Sequence, residues 1–195
     1  RVHAHRPEAA FTIAEARTVE AAVDDLRMEL IDGVIYSMGR ASPWHAAITA
    51  ALSGMVSRQL ADGPCRVFAE SLAVAVREDD PSYLHPDLSV ICGPLRPHPE
   101  EATIVLNPRV VFEVLSPGTS LRDRNEKLQK YESCVTVDAI VHVDHAQRQI
   151  TAWLRSAEGW RLVERGPGEQ LELSSIGVEV DVDALYDVAR DLNGP

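Results

Sequence analysis

Glu113 lies inside Val110-Val111-Phe112-Glu113-Val114-Leu115, a run apolar enough for a strand buried on both faces. A lone carboxylate there is expensive, so it must be protonated, paired or bound to a metal. The bland alternative is an exposed strand end or a hydrogen-bonded structural acid. Asp87 follows Pro86 and opens Leu88-Ser89-Val90-Ile91, which puts a second acid at the mouth of another core strand. Alone it reads as a turn residue. Two carboxylates converging from adjacent strands, however, form a hard oxygen site suited to Mg²⁺.

The chain holds two lysines, Lys127 and Lys130, against seventeen arginines, and both fall in the helix expected after the Glu113 strand. A lysine kept among arginines points to a need for a compact ammonium, with chance as the competing account. At about 100° per residue, Lys127 lies roughly 90° from the centre of the Leu121, Leu128, Tyr131 stripe and Lys130 roughly 150° away. Lys127 is therefore expected to reach inward and Lys130 to face solvent. Arg122 and Arg124 suit either phosphates or a solvated face. Glu29 is a third acid or an ordinary polar residue of a half-exposed hairpin strand. His45 either orients substrate or is a partly buried structural histidine. His142, Asp144 and His145 make a weak metal cluster, on the expectation that alternate strand residues such as His142 and Asp144 point to opposite faces.

The elements that must position these groups follow from the hydrophobic pattern. A short helix is expected from Thr18 to Asp25, then a hairpin in which Asp32-Gly33 joins the apolar runs ending at Ile31 and beginning at Val34. Ser42-Pro43 caps a second helix that Gly63-Pro64 ends. Strands are expected at Arg66 to Ala69, Leu72 to Val76, Leu88 to Ile91 and Val110 to Leu115, with a Pro-rich loop around Pro94, Pro97 and Pro99. Ser120 and Asp123 open the lysine-bearing helix, which runs to about Cys134. A strand from Asp138 to Val143 leads into an antiparallel meander, Ile150 to Leu154, Trp160 to Val163 and Leu171 to Leu173, and a helix from Val182 to Leu192. The class is mixed α/β around one sheet.

With 195 residues, 45% hydrophobic and 25% charged, the composition is that of an ordinary globular chain. One domain spanning 1–195 is expected, with a flexible segment at 1–17, a core at 18–154 and a β extension at 155–195. A net charge of −11 argues against coating nucleic acid by bulk electrostatics, although residues 122–132 carry four basic against three acidic groups. No apolar run approaches the ~20 residues that span a bilayer, so a soluble protein is expected. Cys65, Cys92 and Cys134, odd in number and far apart, read as small core thiols in a reducing cytoplasm. Walker, G-x-G-x-x-G, G-x-S-x-G and H-E-x-x-H motifs are absent.

Taken in order, Glu29-Leu30-Ile31-Asp32-Gly33, Ser42-Pro43 with His45, Pro86-Asp87-Leu88, Glu113-Val114-Leu115-Ser116-Pro117, Arg122-Asp123 with Lys127 and Tyr131, and Val143-Asp144 resemble the Uma-type "putative restriction endonuclease" family. That family belongs to the PD-(D/E)XK nuclease superfamily, and the resemblance covers Thr18 to Leu154. It implies a restriction-endonuclease-like mixed sheet flanked by helices. It also implies Asp87 and Glu113 as Mg²⁺ ligands, with Mn²⁺ as the alternative ion and the Val114 carbonyl as a further ligand. Glu29 matches the family's N-terminal acid. Lys127 matches a lysine placed on the following helix, whereas the superfamily motif has it two residues after the acid, where Leu115 stands here. The chain departs from the family at Met28, where Tyr is usual, and at His142 and His145, where Trp and Pro are usual.

The expected activity is Mg²⁺-dependent hydrolysis of DNA phosphodiesters by Asp87, Glu113, Lys127 and Glu29, in a homodimer with no membrane partner. The rival is an inactive nuclease-fold module for dimerisation or nucleic-acid binding, in which Glu113 and Lys127 survive as a buried ion pair. A hydrolase of small phosphate esters is the third reading.

Overall fold

Asp32 and Gly33 both adopt positive φ, 51° and 79°, and this two-residue turn closes the hairpin of β1 (Met28–Ile31) and β2 (Val34–Ser37). Glycine is required at the second position twice over, because a Cβ there would also meet the Ala10 Cβ at 2.6 Å. The computed structural model describes residues 10–23, 27–39, 41–69, 71–115, 121–144 and 147–188. Ser116, Pro117, Ser120 and His145, and the side chains of Arg122 and Asp123, lie outside what is described.

The first helix, α1 (Ile13–Ala21), starts five residues before the expected Thr18. Thr12 and Glu15 form a capping box that fixes this start, and Ile13 and Ala16 are buried. α2 (Pro43–Gln59) begins, as expected, at the Ser42 cap with proline in the first turn. It ends at Leu60, ahead of Gly63-Pro64. Its Ile48, Leu52 and Val56, spaced by four, form the stripe that meets the sheet. Each such aliphatic side chain contributes roughly 1.5–3 kcal/mol on burial.

Six strands form the central sheet in the order β10-β9-β8-β7-β5-β3. They are β3 (Cys65–Ala69), β5 (Leu88–Cys92), β7 (Val110–Leu115), β8 (Ala139–Asp144), β9 (Gln149–Ser156) and β10 (Gly159–Arg165). Within this sheet the β7–β8 pair is parallel and the others are antiparallel. α3 (Leu121–Ser133) lies between these two strands in the chain, as a parallel connection demands. Two short strands, β4 (Ala73–Val74) and β6 (Ile104–Val105), pair separately, the second in what reads from sequence as loop.

The expected meander needs correction at its end. β11 (Gln170–Leu173) pairs with β12 (Val178–Asp181) and not with the sheet, and α4 (Val182–Asp187) follows. Leu171, Leu173, Val178 and Val180 join Ile48, Leu52 and Phe112 in one core on the α2 side of the sheet. On the opposite side, Tyr131 of α3 packs with Ile31, Leu84, Val111 and Ile140. The result is an α+β architecture with a mixed sheet between two layers. No helix among the described residues is long and apolar enough to cross a membrane.

Cys65 and Cys92 face each other across β3 and β5 and are joined by a disulfide, which corrects their reading as separate thiols. They lie 27 positions apart in the chain, so only the strand register brings them together. Cys134 is free and buried.

Candidate active site

β7 is built from β-branched and aromatic residues, and all of it except Leu115 is buried. Glu113 thus enters the interior as the pattern demanded, with 8% of its surface exposed. Asp87 precedes β5 by one residue, and the Leu88↔Phe112 register places it one step further along, opposite Glu113. Its Oδ2 accepts the Val114 N–H at 2.6 Å, and its Oδ1 lies 3.1 Å from His45 Nε2, so α2 also holds this acid. Glu29 is no half-exposed hairpin residue: β1 is buried throughout, and Glu29 Oε1 accepts the His85 N–H at 2.8 Å.

α3 supplies the cation. Lys127 and Tyr131, four apart, share one helix face, and both reach Glu113. Lys127 Nζ lies 2.8 Å from Glu29 Oε1 and 3.4 Å from both Glu113 oxygens, and the Tyr131 hydroxyl donates to Glu113 Oε1 at 2.6 Å. The structure therefore brings Glu29, Asp87, Glu113 and Lys127 together. It adds His45 and Tyr131, whose link to the acids was not assigned from sequence. Tyr131 carried a signal in its i, i+4 spacing to Lys127, whereas the His45 contact with Asp87 is purely tertiary.

Burial raises the Glu113 carboxyl to about 8. The negative charges of Asp87 and Glu29 add to that rise, while Lys127 and the Tyr131 hydrogen bond work against it. Burial followed by the charge of Glu113 pushes the Tyr131 phenol well above its usual range, so it remains a donor. His142, next to Glu113 in the parallel register, is lowered to about 4 by burial and then by the charges of Arg124 and Lys127.

Lys130 does not face solvent. It bridges Asp32 of the hairpin turn and Asp80, with 13% of its side chain exposed. α3 is flanked by the hairpin as well as by the sheet, so a second face of the helix is covered. Lys130 thereby fixes α3, and with it Lys127, against the β1–β2 turn.

Among the described residues no three His, Cys, Asp or Glu side chains are arranged to hold a metal ion by themselves. Mg²⁺ does not require such a cage, since it is commonly held by one or two carboxylates with waters and substrate phosphate. Asp87, Glu113 and the Val114 carbonyl are a hard-oxygen donor set of that kind. Buried Glu29, Asp87 and Glu113 outnumber the one lysine among them, an excess of acid that a divalent cation would neutralise. His142 and Asp144 line one cavity together, so they share a face of β8 instead of opposing each other.

A family model described as "Uma2: Putative restriction endonuclease" matches residues 15–183. An uncharacterized protein of Synechocystis sp. is 30% identical over 159 residues, which is 81% of this chain and 82% of its own length. A second uncharacterized protein of that organism is 24% identical over 147 residues, 75% of this chain and 82% of its own. A solved structure from Anabaena variabilis, titled a "putative nuclease belonging to DUF820", superposes with a TM-score of 0.72 at 16% identity, over 91% of this chain and 98% of that one. At that identity the likeness establishes the shared fold.

Proposed function

Since the chain belongs to the Uma2 family of restriction-endonuclease-like proteins, we propose that it is a divalent-metal-dependent nuclease hydrolysing DNA phosphodiester bonds at Asp87, Glu113, Lys127 and Glu29. The observation that carries this reading is Lys127 of α3 held between the buried carboxylates of Glu29 on β1 and Glu113 on β7, with buried Asp87 beside Glu113 in the β5–β7 register.

Each group has a part. Asp87, Glu113 and the Val114 carbonyl would hold Mg²⁺ or Mn²⁺, which supplies charge neutralisation and activation of water when bound. Glu29 holds the Lys127 ammonium 2.8 Å away and so presents it to the reacting phosphate. There the ammonium offsets negative charge that develops in the transition state. Tyr131 orients Glu113, and His45 orients Asp87.

The test is cleavage of supercoiled and single-stranded DNA with Mg²⁺, Mn²⁺ or chelator, by the wild type and by Glu113→Gln and Lys127→Ala. Metal-dependent nicking lost in both variants is expected. Equal background in every sample would instead favour an inactive module in which Glu113 and Lys127 form a structural pair.

A further inference from the structure

Beside Glu113, between α3 and the β8–β9 strands, lies a cavity of about 200 Å³ that the proposed chemistry does not use. We propose that it is a subsite for one unstacked nucleobase flanking the reacting phosphate, an inference that rests on the nuclease reading and extends it to substrate recognition.

Position comes from register. Glu113 pairs with His142 on β8, and His142 pairs with Thr151 on β9. Neighbouring strands lie about 4.8 Å apart, so the cavity begins one strand from the acid cluster, within reach of a nucleotide whose phosphate sits there.

The lining sets the chemistry. His142 is 6% exposed, and its Nε2 is buried with no hydrogen-bond partner. Buried polar atoms are nearly always paired, and this orphan belongs to a side chain that lines the cavity, where it leaves hydrogen-bonding capacity unused. The Trp153 ring meets the His142 ring edge-to-face, with centroids 4.8 Å apart, and forms an apolar wall. Asn125 and Gln149 add amide groups and Thr151 a hydroxyl. An aromatic wall with convergent neutral donors and acceptors suits a flat heterocycle whose edge both donates and accepts. Phosphate is the poorer occupant, because the Asp144 carboxylate lines the same cavity as the Arg124 guanidinium and offsets its charge.

The experiment reads binding in chelator, where nothing is cleaved. The imidazole ¹⁵N resonances of His142 in the full chain are followed while each of the four deoxynucleosides, or inorganic phosphate, is added. In parallel, a single-stranded oligonucleotide with one abasic position moved along it is titrated against the wild type, His142→Leu and Gln149→Ala. We expect nucleosides, and not phosphate, to move the Nε2 resonance. One abasic position should weaken wild-type binding about 5- to 150-fold, the equivalent of one lost base stack. That dependence should flatten in either variant that remains folded. An Nε2 resonance indifferent to nucleosides, or moved as much by phosphate, overturns the proposal, as does wild-type binding independent of the abasic position. A chain that shows the base-dependent shift but nicks no DNA keeps the subsite and loses the nuclease reading. One that nicks DNA without the shift does the reverse.

Discussion

Glu113→Gln should change how stability depends on pH. The glutamate titrates at 4.5 in the unfolded chain and at about 8 in the folded one. Between these values the folded state holds more protons, so stability falls as pH rises, by about 1.4 kcal/mol per unit where the difference is one full proton. His142 has the opposite sign: its pKa drops from 6.5 to about 4 on folding, so its contribution rises with pH and levels off about a unit above 6.5, and because both proteins carry His142 this part cancels in their difference. The informative window is pH 6.5 to 8. Across it the slope tapers as the folded carboxyl begins to ionise, and the Glu113 contribution amounts to a loss on the order of 1–2 kcal/mol. Glutamine keeps the shape and can still accept the Tyr131 hydroxyl, but it does not titrate. Urea unfolding in chelator at pH 6.5, 7, 7.5 and 8 should show wild type losing that amount relative to the variant. Saturating Mg²⁺ should shrink the loss, because cation binding draws on the ionised carboxylate. Parallel curves, or a wild type that gains on the variant with rising pH, would refute the claim that burial among acids holds this proton.

Three further outcomes follow from the contacts around α3 and the sheet edge. Tyr131→Phe removes the 2.6 Å hydrogen bond to a buried carboxyl, and calorimetry should show a loss of about 1–2 kcal/mol. Lys130→Met strips Asp80 of its nearest cation, leaving Arg77 at 3.6 Å. A loss of about 2 kcal/mol is expected, part of which Asp80→Asn should restore in the double variant, as denaturant titration will report. Unreduced, denatured protein should titrate one thiol, Cys134, and three after reduction. Reduction should lower stability by about 3 kcal/mol for a closed loop of this length.

Glu113 and Lys127 were readable because each broke a local rule, whereas Asp87 and Glu29 stood out only through their pairing with Glu113 and the family resemblance. Glu113 interrupts an apolar strand, and Lys127 is one of two lysines in an arginine-rich chain. The β1–β2 turn was equally open, since Asp-Gly encodes its backbone angles. What escaped depends on distant partners. Lys130 looks solvent-facing until Asp32 and Asp80 are placed beside it. The Cys65–Cys92 bond appears only with the strand register. β6 has two residues, too few to show a period. The early start of α1 is a different matter, because the Thr12 and Glu15 capping signal is local and present in the chain. The cavity beside His142 is assembled from α3, β8 and β9, and no one segment announces it.

The most direct test of the central claim is Mn²⁺ binding followed by the loss of its free electron paramagnetic resonance signal, with wild type, Asp87→Asn and Glu113→Gln compared at neutral pH. Saturable uptake by the wild type, and loss of it in both variants, are expected. Uptake unchanged in the variants, or none by a wild type that still cleaves DNA, would contradict a metal site at these carboxylates.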